Sequence, residues 1–263
     1  MIAGPPGVPV PPVVPPESFS ALLRSQGMQP HWTAPPEAAM VDAPAGTTVL
    51  AFRYADGVLM AGDRRATSGN VIAHHSLQKV FPADAFSAVA ISGTAGIALE
   101  LIRLFQTELE HYEKLEGSRL SLEGKANHLA AMVRGHLPMA FQGLVVVPLF
   151  CGFDQGNGQG RLYSFDVVGG RYEETDYAAT GSGSREAKAY IRTAFREGLS
   201  EGEALQVAVE ALVAAAEEDS ATGGPDLQRG IYPNVVVVSA DGYREVPEEQ
   251  VAEAARRAMG AAR

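Results

Sequence analysis

Three residues of this chain could together turn a hydroxyl into a nucleophile: Thr47, Asp63 and Lys79, set sixteen positions apart. A threonine hydroxyl attacks poorly at neutral pH until something takes its proton. A threonine at the start of a chain carries its own base, because an α-amine with a pKa of about 7.7–8.0 titrates near working pH. Thr47 would gain that amine if the Gly46–Thr47 bond were cut. Gly46 suits the cut, since glycine tolerates conformations that let the hydroxyl approach its carbonyl. A Lys79 ammonium nearby would favour deprotonation, and an Asp63 carboxylate beside it would fix its position and charge. A plainer reading stands beside this one. Thr47-Thr48-Val49-Leu50 also reads as a β-branched strand start, and a turn-region Asp–Lys pair is usually worth at most about 1 kcal/mol.

Other segments carry related chemistry. Gly181-Ser182-Gly183-Ser184 precedes a helical stretch, so its amides and hydroxyls either cap that helix or face a charged site. Asp219-Ser220-Ala221-Thr222-Gly223-Gly224 ends another helix with a carboxylate, hydroxyls and permissive glycines. Gly93, just after an apolar strand, could aim a backbone N–H into a cleft as an oxyanion donor. Ordinary loop chemistry accounts for each of these taken alone.

The elements that must position these residues follow from the pattern. Thr47–Tyr54 and Val58–Ala61 form a hairpin about the turn Ala55-Asp56-Gly57. Ala88–Ser92 is a strand, and Ile97–Tyr112 and Leu122–Gln142 are helices, the second kinked or ended by Pro138. Strands return at Leu144–Phe153, Arg161–Val167 and Tyr172–Ala178, the last two joined by a hairpin turn at Gly169-Gly170. Helices Arg185–Phe195 and Glu201–Asp219 precede the strand Asn234–Ser239, the turn Asp241-Gly242 and a helix from Glu248. Strands, two helices, strands, two helices, strands is not the alternation of a doubly wound sheet. Two antiparallel sheets packed face to face, with helices outside each, would satisfy it.

Residues 1–46 are different material. They hold eleven of the seventeen prolines and no lysine, and favour extended polyproline geometry. They read as a solvated tail, or as a leader removed at Gly46; Phe19, Leu22 and Leu23 could dock as one helical turn. A net charge of −10 argues against nucleic acid as a partner, since phosphates are gripped by surplus Lys and Arg. No apolar run reaches the roughly 18 residues a membrane span needs, and the N-terminus lacks the pattern of a secretion signal. A cytoplasmic protein is expected. The single cysteine, Cys151, excludes an internal disulfide and reads as a buried small hydrophobe. His74 and His75 are adjacent and read as loop residues rather than paired metal ligands.

Taken in order, Gly46-Thr47-Thr48, Gly62-Asp63-Arg64-Arg65-Ala66-Thr67-Ser68-Gly69-Asn70, Lys79-Val80, Ser92-Gly93-Thr94-Ala95, the acidic helix segment Glu108–Gly117, Gly181–Ser184 and Asp219–Asp226 resemble the β-type subunit of the 20S proteasome, actinobacterial kind. The resemblance runs from Gly46 to about residue 250. It implies an α+β N-terminal-nucleophile hydrolase fold, a four-layer αββα sandwich of two antiparallel sheets. It implies two parts: residues 1–46, a propeptide removed autocatalytically at Gly46–Thr47, and 47–263, the hydrolase domain. By motif position Thr47 matches the nucleophile, Asp63 and Lys79 the charged pair beside it, and Gly93 the oxyanion donor. Ser182 matches the serine near the amine, and Asp219 the carboxylate that orients it. Thr222 stands where the family usually has serine; it donates and accepts the same bonds, so a changed fit with retained activity is expected. Thr67 and Ala95 match positions that align substrate as an added strand. Ala66, Phe81, Ile91 and Leu99 should line an apolar specificity site that prefers hydrophobic P1 side chains.

The implied activity is that of a threonine endopeptidase needing no metal or organic cofactor. The implied assembly is a seven-membered β ring, stacked in pairs, capped by α-subunit rings and fed by a ring ATPase. Its substrates would be unfolded proteins, or proteins carrying a ubiquitin-like tag. The acidic helix face would lie near subunit contacts. Rival readings are a six-membered-ring bacterial threonine protease working with an unfoldase, a catalytically silent ring subunit, and a small-amide hydrolase of the same superfold. The long leader opposes the first of these. The presence of threonine, lysine and maturation glycine opposes the second.

Overall fold

Strand β1 (Thr48–Tyr54) sets the architecture, because its side chains alternate between two cores. Leu50 and Phe52 join an apolar cluster on one face, and Val49 and Ala51 join a second on the other. That period of two marks a strand buried on both sides. The computed structural model describes residues 46–261. The expected leader, with Phe19, Leu22 and Leu23, lies outside the described residues.

Beyond β1 the chain forms β2 (Gly57–Gly62), the short pair β3 (Ala66–Ser68) and β4 (Val71–His74), then β5 (Val80–Asp84) and β6 (Ser87–Gly93). Helices α1 (Ala95–Glu116), α2 (Leu122–Gly135) and the single turn α3 (Leu137–Ala140) follow. Next come β7 (Val146–Asp154), β8 (Gln159–Phe165), β9 (Arg171–Glu174) and β10 (Tyr177–Gly181). Helices α4 (Ser184–Ala194) and α5 (Glu201–Glu218), strands β11 (Asn234–Ser239) and β12 (Gly242–Glu245), and α6 (Glu248–Ala261) complete the order.

Two five-stranded sheets result, ordered β10-β1-β2-β11-β12 and β5-β6-β7-β8-β9, with every pairing antiparallel. Between them lies a core of Val49, Met60, Ala90, Leu149, Leu162 and Val236. Outside the first sheet, α4, α5 and α6 bury Ile191, Leu212 and Ala255 against Leu50 and Phe52. Outside the second, α1 and α2 bury Phe105 and Leu129 against Phe150 and Tyr163. Three successive cores give four layers, helix–sheet–sheet–helix, as the sequence implies. Cys151 is fully buried in the middle core, where desolvation pushes its thiol pKa far up.

Several local expectations change. The stretch 172–178 is not one strand. β9 pairs with β8 in the second sheet, the chain turns at Thr175-Asp176, and β10 crosses to pair with β1 in the first. Strands β3, β4, β5 and β12 were not evident from alternation; β4 is exposed at every residue, and Pro82 sits in the edge strand β5, where a missing donor is tolerated. His74 ends β4 instead of lying in a loop. The helix from Leu122 stops at Gly135, and Pro138 falls in the first turn of α3, a position compatible with its missing N–H.

Candidate active site

The expected residues converge where β1 begins. Thr48 pairs with Gly181, and the Thr47 carbonyl accepts the Ser182 N–H at 2.9 Å, which sets the turn before α4 against the start of β1. On the other side β2 ends at Gly62, paired with Val49, so Asp63 emerges beside Thr48 and donates its N–H to the Thr48 carbonyl at 3.1 Å.

Asp63 is fully buried, and each of its oxygens accepts two hydrogen bonds. Oδ1 takes the Thr48 N–H at 2.8 Å and Lys79 Nζ at 2.6 Å; Oδ2 takes the N–H groups of Arg65 and Gly223, both at 2.9 Å. A buried carboxylate persists when its charge is met and its lone pairs are filled. Lys79, 3% exposed, donates to Asp63, to the Arg65 carbonyl at 2.5 Å and to the Gly46 carbonyl at 3.2 Å. Three ammonium protons thus meet three acceptors. Burial pushes the Lys79 pKa below the ordinary lysine value, against the pull of Asp63. The Asp–Lys pair is therefore no surface ion pair.

Gly46 is the residue whose carbonyl Lys79 holds. Its φ is +114°, and a Cβ there would meet Thr67 Oγ1 at 2.4 Å and the Ala221 Cβ at 2.9 Å. Only glycine fits without strain. The peptide joining residues 46 and 47 is consequently presented in a bent conformation, with its oxygen on a cation.

A second network lies on the helix side. Asp219 Oδ2 accepts Ser182 Oγ and Thr222 Oγ1, each at 2.5 Å, and Oδ1 accepts the Ala221 N–H at 3.1 Å. Burial pushes the Asp219 pKa up, but the hydrogen bonds from Ser182 and Thr222 outweigh it and hold it below the usual carboxylate range. Thr222 Oγ1 also lies 2.6 Å from Thr48 Oγ1, which accepts the Gly183 N–H at 2.9 Å. Arg65 donates to the carbonyls of Ser220 and Thr222 at 3.0 and 3.2 Å, tying the turn after α5 to the turn after β2.

Thr47, 7% exposed, opens on a small cavity of ≈ 20 Å³ that Lys79, Phe81, Ile91, Gly93, Ala95 and Leu99 also line. Gly93 has φ +111°, and a Cβ there would lie 2.1 Å from the Val145 carbonyl oxygen, so this corner too demands glycine. Ala66 is buried at the start of β3 and paired with His74; it does not line this cavity. Thr67 lies on the same strand, its hydroxyl against Gly46. A much larger cavity, ≈ 790 Å³, sits at the far ends of β1 and β2 around Gly57 and Gly160 and contains none of these residues. Size is a poor guide here, because the concentration of buried charge and hydroxyls lies at the small cavity.

Thr48, Arg65 and Gly223 belong to this constellation and were not singled out from the sequence. Alternation along β1 puts Thr48 on the face opposite Thr47, which reads as plain packing. Its partner Thr222 is 174 positions away. The contributions of Gly223 and the Arg65 N–H are backbone groups, which residue type does not advertise.

The arrangement sets a threonine next in chain to a bent peptide whose carbonyl a buried cation holds, with an apolar recess adjoining. The proteasome family, described as proteasome subunit, matches residues 44–226. The chain is 54% identical over 242 residues to a proteasome subunit beta of Streptomyces griseus, covering 91% of this chain and 86% of that protein. It is 52% identical over 237 residues to a proteasome subunit beta of Acidimicrobium ferrooxidans, covering 90% and 87%. With the family match spanning more than half of its length and these relatives most of it, the chain belongs to the proteasome family, as a β-type subunit of the 20S core.

Proposed function

We propose that this subunit is a threonine endopeptidase whose nucleophile is created by cutting the Gly46–Thr47 bond. The observation that carries the reading is the hydrogen bond from Lys79 Nζ to the Gly46 carbonyl, made by a buried ammonium at a bent glycine next to a threonine. The cation draws electrons from that carbonyl and prepares its carbon for attack by Thr47 Oγ. The tetrahedral adduct collapses with breakage of the Gly46–Thr47 C–N bond, the Thr47 nitrogen taking up the hydroxyl proton, to leave an ester on Oγ and a free Thr47 amine. Water then hydrolyses the ester, releasing residues 1–46 as an acid and restoring the hydroxyl.

In turnover Thr47 Oγ attacks the scissile carbonyl of a peptide, and its proton passes to the Thr47 amine. The Gly93 N–H stabilises the oxyanion, at about 3–4 kcal/mol for a single donor in comparable sites. The C–N bond breaks, the leaving amine takes the proton, and water then hydrolyses the acyl ester. Lys79 and Asp63 lower the cost of the alkoxide. Ser182, Asp219 and Thr222 orient the amine.

Thr67 and Ala95 align the substrate as an added strand. Phe81, Ile91 and Leu99 favour a hydrophobic P1 side chain. Seven such subunits would form a ring, with two rings stacked between α-subunit rings in the cytoplasm, fed with unfolded or ubiquitin-like-tagged proteins by a ring ATPase. Until the cut, the Thr47 nitrogen is an amide without basicity, so proteolysis waits for assembly.

The test is the intact mass of the chain co-expressed with an α subunit. Loss of residues 1–46, and retention of full length in Thr47→Ala, is the expected pair of results. Processing at another bond, or peptide hydrolysis by Thr47→Ala, would overturn the reading.

A further inference from the structure

The hydroxyl chain through Thr48 has a direction. Asp219 accepts from Ser182 and Thr222, and an ionised carboxylate can only accept. The single proton of Thr222 is therefore spent on Asp219. Thr48 Oγ1 accepts the Gly183 N–H, so the proton between Thr48 and Thr222 belongs to Thr48. Thr48 thus donates to Thr222 and fills one of its two lone pairs. Thr48 and Thr222 are both fully buried, so water does not compete for these bonds.

The corner lies against the bond that would yield the amine. A Cβ on Gly46 would touch Ala221, the neighbour of Thr222, and the Thr47 carbonyl holds the Ser182 N–H. We propose that Thr48 is a positioning residue for peptide hydrolysis. By filling one acceptor site on Thr222, it limits how strongly Thr222 can accept from the protonated Thr47 amine. That amine then stays unprotonated, and able to take the Thr47 hydroxyl proton, near neutral pH. The inference rests on the reading of Thr47 as nucleophile and its amine as base.

The sign follows from which form is stabilised. A hydrogen bond accepted from the ammonium favours the ammonium. Replacing Thr48 by valine keeps shape but frees the second lone pair of Thr222, so the amine holds its proton to higher pH. The charged groups around this corner are Asp63 and Arg65 after β2, Lys79 before β5 and Asp219 after α5, and the substitution alters none of them.

The experiment uses assembled, processed particles and the pH dependence of kcat/KM for an uncharged peptide ester or amide. Thr48→Val should move the acidic limb to higher pH by about 0.5 unit, a fraction of what one full charge-assisted hydrogen bond gives. Activity below the limb would fall about threefold, with KM little changed. Thr48→Ser, which restores the hydroxyl, should return the limb to the wild-type position.

An unshifted limb in Thr48→Val, or a limb in Thr48→Ser displaced as far as in Thr48→Val, would overturn the proposal. If Thr48→Val does not mature, Thr48→Ala is read in the same way. Failure of both to mature also overturns it, because the hydroxyl would then be needed to hold the buried Gly183 N–H and the fold rather than to tune the amine. Thr47→Ala is measured alongside: residual activity there defeats the nucleophile assignment itself, whereas an inert Thr47→Ala with an unshifted Thr48→Val defeats only the role of Thr48.

Discussion

Gly46 and Lys79 show how much of this site is set by fit at single residues. An alanine at 46 would have to adopt a positive φ and displace Thr67 Oγ1 and Ala221. Backbone strain of that kind costs about 1–3 kcal/mol, so Gly46→Ala should slow release of residues 1–46 by tenfold or more, read as the full-length to processed ratio over time. Asp63→Asn removes the anion from a buried lysine, and breaking a buried pair from one side costs about 3–5 kcal/mol. Loss of peptide hydrolysis together with a lowered melting temperature is the expected result, and an active, equally stable Asp63→Asn would contradict the electrostatic account.

Residue types alone were enough to mark Thr47, Asp63 and Lys79. They were not enough for Thr48 or Arg65, whose parts depend on partners that only the fold brings near. Ala66 illustrates the converse, since an apolar residue adjacent in sequence to the site does not line the recess beside Thr47.

At the scale of elements, the sheets hold the site because β1 lies between β10 and β2 and receives a turn from each. The long helices and core strands were legible in apolar periodicity, which burial on one or two faces imposes. The crossing from β9 to β10 was not, because Tyr172-Glu173-Glu174-Thr175-Asp176-Tyr177 contains no glycine or proline to mark a break. Which sheet a strand joins is decided by partners distant in sequence.

The helix layer over the second sheet is pinned by a further ion pair, its lysine buried and its aspartate largely so. Lys125 of α2 meets Asp84 of β5 at 2.5 Å, and Asp84 also accepts from Ser87 Oγ and the Phe86 N–H. Burial pushes the Asp84 pKa up, yet Lys125 and these hydrogen bonds hold it below the usual carboxylate value. A depressed folded pKa gives stability that is complete above about pH 4 and is lost as pH falls through the folded value. Lys125→Ala should cost about 3 kcal/mol at neutral pH, and the gap between variant and wild-type melting temperatures should narrow on acidification. A gap that widened in acid would be inconsistent with this pair.

For the molecule as a whole, the candidate site lies at one edge of the four-layer sandwich, where β1, β3 and the end of β6 meet the turns before α4 and after α5. The apolar lining of Phe81, Ile91 and Leu99 beside Thr47 leads to a specificity prediction. Peptides with leucine or phenylalanine at P1 should be hydrolysed at least tenfold faster than those with aspartate, since an unpaired carboxylate in an apolar recess costs several kcal/mol. Equal rates would remove the assignment of that recess.

The central claim is that the Thr47 hydroxyl becomes the acyl carrier, and an acyl-trapping measurement addresses it most directly. Assembled particles are given a peptide ester that acylates quickly and deacylates slowly, quenched in acid and mapped by tandem mass spectrometry. The account predicts one acyl group per β subunit, on a chain beginning at Thr47, attached at its side-chain oxygen and absent from Thr47→Ala. An acyl group on any other residue, or equal labelling of Thr47→Ala, would contradict it.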